Sequence, residues 1–267
     1  MKVLLYVNPE KDKKGEYSLL IEKLLIKHGV IYEKTFNETE INASGFSAII
    51  SVGGDGTILR RTTDAVKFGL PILGINAGKL GFLTEFELSE SESAVKALKD
   101  GTLYRDERAV IKLEYDGNFY YALNDVVLSR SYEENGAMTV SIGVKIDNVS
   151  LKKTIGDGVL VSTPTGSTGY SLSAGGAILA PGINAFCVTP IASHSLLSRS
   201  VVFSSDKTCE LTVIEGASAG LYVDGKLISL LKSGESVKVT RSEKNVAFLR
   251  RKGFDFFGLL NKKLQDR

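Results

Sequence analysis

The stretch Phe46-Ser-Ala-Ile-Ile-Ser-Val-Gly-Gly-Asp-Gly-Thr57 decides the fold of this chain. Its first seven residues form an apolar run rich in β-formers, and the glycines that follow end this run in a turn. The next segment opens at Thr57, has a helical pattern, and is closed by Gly69 and Pro71. The stretch therefore predicts a strand, a glycine-rich turn and a helix in direct succession.

The segments on either side repeat this alternation. Residues 3–7 form another apolar run, which is followed by an amphipathic helical pattern, and residues 72–75 form a third run. Alternating strands and helices predict a parallel sheet covered by helices, with ligands at the carboxyl ends of the strands. We therefore expect an α/β N-terminal domain with a parallel sheet over residues 1–104, with the glycine turn at one strand end.

The pattern changes after residue 104. Asp116-Gly117 lies between two β-like runs and predicts a hairpin, and more short β-like runs follow it. We expect a β-rich C-terminal domain over residues 105–250. A tail over residues 251–267 carries apolar residues that suit a helix packing back on the first domain.

Composition restricts the class of protein. The chain has 267 residues, and 33 basic against 31 acidic side chains predict neither a nucleic-acid nor a membrane surface. No apolar run approaches the roughly 18 residues of a spanning helix, and the N-terminal run is too short for a signal peptide, so we expect a cytoplasmic protein. Cys187 and Cys209 lack metal-site spacing, so we expect buried thiols and no protein metal site.

The glycine turn is the first candidate site. Gly54 and Gly56 allow a phosphate to approach the backbone, and Asp55 places a carboxylate between them. The alternative is a purely structural turn with Thr57 as a cap. The spacing matches neither a P-loop nor a complete G-x-G-x-x-G motif.

The second candidate is the glycine- and hydroxyl-rich segment over residues 156–176. Its hydroxyl and N–H groups can bind a sugar, a base edge or a pyrophosphate, and Tyr170 offers an aromatic face. The alternative is a long surface loop, although loops of this length are usually functional or disordered. Asn124-Asp125 is a third, weaker candidate, because turns favour the same residues.

Taken together, three segments closely resemble the NAD kinase family in order and separation: Gly53–Thr57, Leu123–Val127 and Asp157–Gly176. The first motif alone is shared with diacylglycerol-, sphingosine- and phosphofructokinase-type enzymes, whereas Ser-Thr-Pro-Thr-Gly-Ser-Thr at residues 162–168 is specific to the family. The family usually has Asn-Glu where this chain has Asn124-Asp125, and Thr-Ala-Tyr where it has Thr168-Gly169-Tyr170.

The resemblance implies an enzyme that transfers the terminal phosphate of ATP to the 2′-hydroxyl of the adenosine ribose of NAD. It implies Asp55 as the catalytic base, Mg²⁺ entering as Mg-ATP, no bound prosthetic group, and a homodimer or homotetramer. Whether inorganic polyphosphate replaces ATP stays open. The residues implied in binding NAD or the phosphates are Gly54, Gly56, Thr57, Asn124, Asp125, Asp157, Ser162, Thr163, Thr168, Gly169, Tyr170, Ser171, Leu172 and Ser173.

Two other functions remain as alternatives. A lipid or sugar kinase would share the glycine-aspartate motif but would leave the hydroxyl-rich segment without a role. A non-catalytic dinucleotide-binding sensor would keep the binding segments and lose phosphoryl transfer, and the intact Asp55 counts against it.

Overall fold

A computed structural model shows that the chain forms two units, each with its own hydrophobic core. The structure describes residues 1–36, 42–78, 81–131, 139–151, 153–195, 198–216 and 218–265. The first unit comprises Met1–Arg108 and Asn245–Arg267, and the second comprises Ala109–Lys244. The first unit is therefore built from both ends of the chain.

The first segment of the first unit alternates strands and helices as predicted. In the described residues its elements are β1 (Lys2–Val7), α1 (Glu16–Lys27), β2 (Ile31–Thr35), β3 (Ala48–Gly53), α2 (Asp55–Leu59), α3 (Thr62–Phe68), β4 (Ile72–Asn76), β5 (Phe86–Glu87), α4 (Ser91–Lys99) and β6 (Tyr104–Arg108). Strands β2, β1, β3 and β4 pair in this order and in parallel. All residues of β3 are buried, as expected for a central parallel strand covered on both faces.

The helix after the glycine turn differs from the prediction. It begins at Asp55 rather than Thr57, and it stops at Leu59. A second helix, α3, then runs to Phe68 and ends at Gly69, whose φ of 66° is left-handed. Asp55 is therefore held in the first turn of a helix, where its backbone has a defined direction.

The second unit is almost entirely β. Its elements in the described residues are β7 (Ile111–Tyr115), β8 (Asn118–Ala122), β9 (Asp125–Arg130), β10 (Val140–Ile146), β11 (Val149–Ser150), β12 (Thr154–Gly156), β13 (Gly158–Ser162), α5 (Tyr170–Ser173), β14 (Ala185–Ile191), β15 (Val201–Ser204), β16 (Cys209–Gly216), β17 (Ala219–Val223), β18 (Lys226–Leu231) and β19 (Ser236–Arg241). The predicted hairpin at Asp116-Gly117 is confirmed, because β7 and β8 pair across it.

Two antiparallel sheets enclose the core of the second unit. One has the order β11-β10-β16-β19-β7-β8, with β12 added beside β10, and the other has the order β15-β14-β13-β9-β17-β18. The core contains Leu128, Val159, Phe186 and Leu211, all fully buried. Both cysteines are buried free thiols, as expected.

The chain then returns to the first unit through β20 (Val246–Arg250) and α6 (Phe256–Gln265). Strand β20 pairs in parallel with β4 and antiparallel with β6, so it lies between them in the first sheet. The expected division at residues 104/105 and 250/251 therefore differs from the observed one at 108/109 and 244/245. The difference arises because residues 246–250 complete the first sheet rather than the β-rich unit.

The expected fold class is confirmed: an α/β unit with a mostly parallel sheet is combined with a β-rich unit. The pairing of β6 with β20 is the antiparallel exception in the first sheet. Among the residues that the structure describes, no helix has the length and apolar character needed to cross a membrane.

Candidate active site

The predicted phosphate-binding turn lies at the carboxyl end of β3, a central strand of the first sheet. The buried Thr57 hydroxyl accepts the backbone N–H of Gly54 at 3.2 Å and the side-chain amide of Asn8 at 3.1 Å. These bonds tie the turn to the end of the neighbouring strand β1. Thr57 therefore closes the turn, with its own O–H donor not used in either of these two bonds.

Gly54 and Gly56 leave the turn open to an approaching group. A Cβ placed on either glycine would meet no described atom within 4 Å, and Gly56 is exposed. Neither glycine is thus required by internal packing. Their lack of side chains instead keeps space beside the backbone, which is what a bound phosphate needs.

The Asp55 carboxylate is held by backbone groups that sequence analysis did not identify. Its Oδ2 accepts the N–H of Phe82 at 2.8 Å, and its Oδ1 accepts the N–H of Leu83 at 3.1 Å. A Cβ on Gly81 would lie 1.8 Å from Oδ1, so only glycine fits beside this carboxylate. We call residues 81–83 the carboxylate clamp. Each carboxylate oxygen has about two acceptor sites, so both oxygens keep capacity for a further donor.

A buried arginine supports the carboxylate clamp. Arg250, at the end of β20, has 0% of its surface exposed and donates to the backbone carbonyl of Phe82 at 2.9 Å. It also pairs with Glu85 at 3.0 Å and with Asp106 at 2.8 Å. Sequence reasoning missed this residue because its partners are distant in the chain, and no local pattern marks it.

The second unit positions Asn124 and Asp125 through Asp224, which lies in the turn between β17 and β18. The Asp224 carboxylate accepts the backbone N–H groups of Leu123, Asn124 and Asp125 at 2.8, 2.7 and 3.1 Å. Three successive N–H groups directed at one anion form a backbone anion site. The sequence signal for this residue is Asp224-Gly225, a hairpin dipeptide.

Asp125 and Asp224 form a pair of buried acidic groups. Asp125 is only 5% exposed. Burial raises the pKa of its carboxyl to about 7, and the charge of Asp224 adds to the rise. Burial also raises the pKa of Asp224 to about 6, although its three backbone hydrogen bonds act in the opposite direction. The site therefore changes charge near neutral pH.

Much of the hydroxyl-rich segment faces inward. Four predicted ligand residues, Ser162, Thr163, Thr168 and Ser171, are buried. The Thr163 hydroxyl donates to the Leu123 carbonyl at 2.5 Å, and that of Thr168 donates to the Thr165 carbonyl at 3.2 Å. The Ser171 hydroxyl lies 3.3 Å from that of Thr189. The hydroxyls of Thr163, Thr168 and Ser171 thus bond to the segment's own backbone and neighbours, whereas that of Ser162 has no hydrogen-bond partner among the described residues.

The remaining predicted residues of this segment are accessible. Tyr170 is 46% exposed and Ser173 is also exposed, and Gly169 and Leu172 are partly exposed. Tyr170 and Ser173 are separated by one helical turn in α5, so their side chains share one face. A Cβ on Gly169 would lie 3.6 Å from the Asn124 amide nitrogen, which places this glycine beside the 123–125 segment.

Asp157 is separated from the other predicted ligand residues of the second unit. It precedes β13, whereas Ser162 ends β13 and pairs with Asp125 of β9. The five steps along the chain from Asp157 to Ser162, at about 3.3 Å each, put these two residues roughly 16 Å apart. Asp157 is partly exposed and pairs with Arg130 at 3.1 Å. The predicted residues therefore form two groups, one at each end of the strand.

The donor set does not provide a metal cage. Within the described ranges, no group of three or more His, Cys, Asp or Glu side chains is arranged to hold a metal ion. A divalent cation bound near these residues would need most of its ligands from another source, such as the oxygens of a phosphate group.

Comparison with known proteins agrees with this geometry. The family model described as the ATP-NAD kinase N-terminal domain matches residues 3–103, and the one described as the ATP-NAD kinase C-terminal domain matches residues 123–251. The NAD kinase of Sulfurimonas denitrificans is 37% identical over 91% of this chain and 83% of the relative. That of Caldicellulosiruptor bescii is 34% identical over the full length of both chains.

Solved structures show the same fold. An NAD kinase from Archaeoglobus fulgidus, in complex with ATP, is 28% identical with a TM-score of 0.80 over 100% of both chains. Yeast NADH kinase complexed with NADH is 22% identical and has a TM-score of 0.84 over 99% of this chain and 87% of the other. The second likeness concerns the fold alone. On the two domain matches and the full-length relatives, this chain belongs to the NAD kinase family.

Proposed function

We propose that the chain transfers the terminal phosphoryl group of ATP to the 2′-hydroxyl of the adenosine ribose of NAD, with Asp55 receiving the hydroxyl proton. NAD kinase activity is supported by relatives that carry this name at 32–37% identity. The observation that carries the assignment to Asp55 is its clamped carboxylate, which is fixed at the open end of a central strand.

The proposed chemistry needs position more than strong basicity. In the reaction, the ribose O2′ forms a bond to the terminal phosphorus while the bond from this phosphorus to the β-phosphate bridging oxygen breaks. ADP leaves with the electron pair of that bond, and the O2′ proton passes to the Asp55 carboxylate. Catalysis of phosphoryl transfer comes mainly from alignment and charge stabilisation, so a carboxylate fixed by two N–H groups suits the task.

The open glycines are proposed to receive the phosphates. Gly54 and Gly56 leave room for phosphate oxygens beside the backbone of the turn, which Thr57 keeps closed. Mg²⁺ is proposed to enter as Mg-ATP, where it neutralises charge on the phosphates. ATP would be preferred over inorganic polyphosphate only if the protein also binds the adenosine of ATP, which polyphosphate lacks.

NAD is proposed to bind the second unit along β13. One group of residues would bind adenosine: Asn124 and Asp125 by polar contacts, and Gly169, Tyr170, Leu172 and Ser173 by the accessible face of the segment. The buried Ser162, Thr163, Thr168 and Ser171 would support this surface from within. Asp157, at the far end of β13, would contact the other half of an extended dinucleotide.

Two further properties belong to this proposal. We propose a cytoplasmic location, on the expectation stated above. We also propose a homodimer or homotetramer, on the resemblance stated above.

The test is incubation of the purified protein with NAD, ATP and Mg²⁺, with NADP measured by an NADP-specific dehydrogenase. We expect NADP to form, and Asp55→Asn to reduce the rate by about 100-fold or more while NAD affinity stays within about threefold. Asp100→Asn, an exposed carboxylate in the turn after α4, is the matched control and should keep full activity.

Three outcomes would contradict parts of this proposal. Near-normal turnover of Asp55→Asn would remove Asp55 from its role. NAD binding without NADP formation, with polyphosphate also tried as donor, would favour the dinucleotide sensor. Phosphorylation of a lipid or sugar with no NAD binding would favour the rival kinase class.

A further inference from the structure

The 123–125 segment has all of its backbone polar groups bound by two residues. The N–H groups of Leu123, Asn124 and Asp125 donate to the Asp224 carboxylate. The carbonyl of Asp125 accepts the backbone N–H of Asp224 at 3.0 Å. The carbonyls of Leu123 and Asn124 accept the hydroxyl and the backbone N–H of Thr163, at 2.5 and 2.9 Å. The segment is therefore held from both sides.

Close packing strengthens the hold on the carbonyl side. A Cβ on Gly166 would lie 2.1 Å from the Asn124 carbonyl oxygen, so the backbone of the hydroxyl-rich segment touches the 123–125 segment directly. With every backbone N–H and C=O group of the 123–125 segment already in a hydrogen bond, its side chains are the groups that project towards a ligand. Their directions are then set by the backbone, and half of the backbone bonds depend on one carboxylate.

The position of Asp224 suits this task. It has a φ of 46° and is followed by Gly225 with a φ of 79°, so it begins the tight turn between β17 and β18. Aspartate and asparagine tolerate this left-handed conformation better than most residues. The turn brings the carboxylate back over the start of β9, which pairs with β17 in the same sheet.

We propose that Asp224 is a positioning residue for NAD, because it fixes the segment from which the Asn124 and Asp125 side chains reach the ligand. This inference rests on the proposed function, in which Asn124 and Asp125 bind NAD. Asp224 itself need not touch the substrate, since it acts through the three backbone N–H groups that its carboxylate binds. Its loss should weaken NAD binding and leave the ATP side of the reaction unchanged.

A matched control exists within the same unit. Asp116 begins the turn between β7 and β8 with nearly the same backbone, at a φ of 49°, and is followed by Gly117 at 70°. Asp116 is exposed, and within the described ranges no hydrogen bond reaches its carboxylate. Asp116→Asn and Asp224→Asn therefore make the same change in the same kind of turn, and only the second removes an anchor.

The experiment compares both variants with the unaltered chain by calorimetric NAD titration and by steady-state kinetics in NAD and in ATP. We expect Asp224→Asn to raise the KM and Kd for NAD by about tenfold or more, with the KM for ATP changed less than about twofold. Asp116→Asn should change none of these constants. Unaltered NAD binding in Asp224→Asn would overturn the proposal.

The pH dependence separates a positioning role from a merely structural one. Removing the Asp224 charge takes away the like-charged neighbour that, together with burial, raises the pKa of Asp125. NAD affinity should fall at low pH, where the Asp125 carboxylate becomes protonated. In Asp224→Asn this fall should occur at a lower pH than in the unaltered chain, by at least about half a unit. An unchanged pH dependence of NAD affinity in a protein that is only less stable would refute the positioning role.

A second variant is available if Asp224→Asn does not fold. Asp224→Gly keeps the positive φ without the carboxylate, and the same tenfold loss of NAD affinity is expected. Failure of the unaltered chain to make NADP would refute the proposed function, whereas NADP formation with unaffected Asp224 variants would refute only this inference.

Discussion

Gly81→Ala should remove most of the activity by displacing the Asp55 carboxylate. The added Cβ would lie 1.8 Å from Oδ1 and 2.3 Å from Cγ. One of the two groups must then move by roughly 1.5 Å to reach an ordinary contact distance. Displacement of a reacting group by about 1 Å can cost roughly 100-fold in rate, so we expect kcat to fall by about this factor.

The substitution should leave the fold intact. Gly81 does not belong to the glycines with positive φ, so alanine is compatible with its backbone and is opposed only by the contact with Asp55. The assay is the initial rate of NADP formation, with thermal unfolding as the check on folding. Gly78→Ala is the matched control, because a Cβ there meets no described atom within 4 Å. Full activity of Gly81→Ala would refute the claim that the clamp positions Asp55.

Three more changes test other parts of the structure. Tyr170→Ala should raise the KM for NAD by about tenfold with little change for ATP, since base stacking on an exposed ring contributes roughly 1–3 kcal/mol; unchanged NAD kinetics would make Tyr170 structural. Because burial and a like charge raise the pKa of Asp125 from 3.8 to about 7, the folded state binds the proton more tightly than the unfolded state. The free energy of unfolding of the ligand-free protein should then fall as pH rises from about 4 to about 7, and Asp125→Asn should flatten this decline in urea titrations. Arg250→Ala should lower the free energy of unfolding by about 3–5 kcal/mol, because Glu85 and Asp106 lose a buried partner; urea unfolding with an unchanged midpoint would contradict this.

Local patterns in the sequence were sufficient for the strand, glycine turn and helix around Asp55. They were also sufficient for the hairpin at Asp116-Gly117 and for the change from α/β to β-rich structure. Each of these features depends on residues close together in the chain, where apolar periodicity and turn chemistry act directly. The helix start was misplaced by two residues, because Asp55 already has helical backbone.

The contacts that organise the site could not be predicted, because they join distant residues. Phe82 lies 27 residues from Asp55, and Asp224 lies about 100 residues from the segment that it holds. The inward direction of Thr163 was hidden for a related reason. A hydroxyl-rich segment has the same composition whether its hydroxyls face a ligand or its own backbone, and only the pairing of β9 with β13 decides between them.

The position of β20 in the first sheet also affects the order in which parts of the protein can fold during synthesis. Strand β6 joins this sheet through β20, and Arg250 supports the carboxylate clamp. A ribosome that has released only the first 108 residues has thus produced a sheet without its connecting strand and a clamp without its buried cation. The second unit, in contrast, is continuous in the chain and can fold as it emerges. The glycine turn is consequently among the first parts to be synthesised, whereas the strand and the arginine that support the carboxylate clamp are among the last.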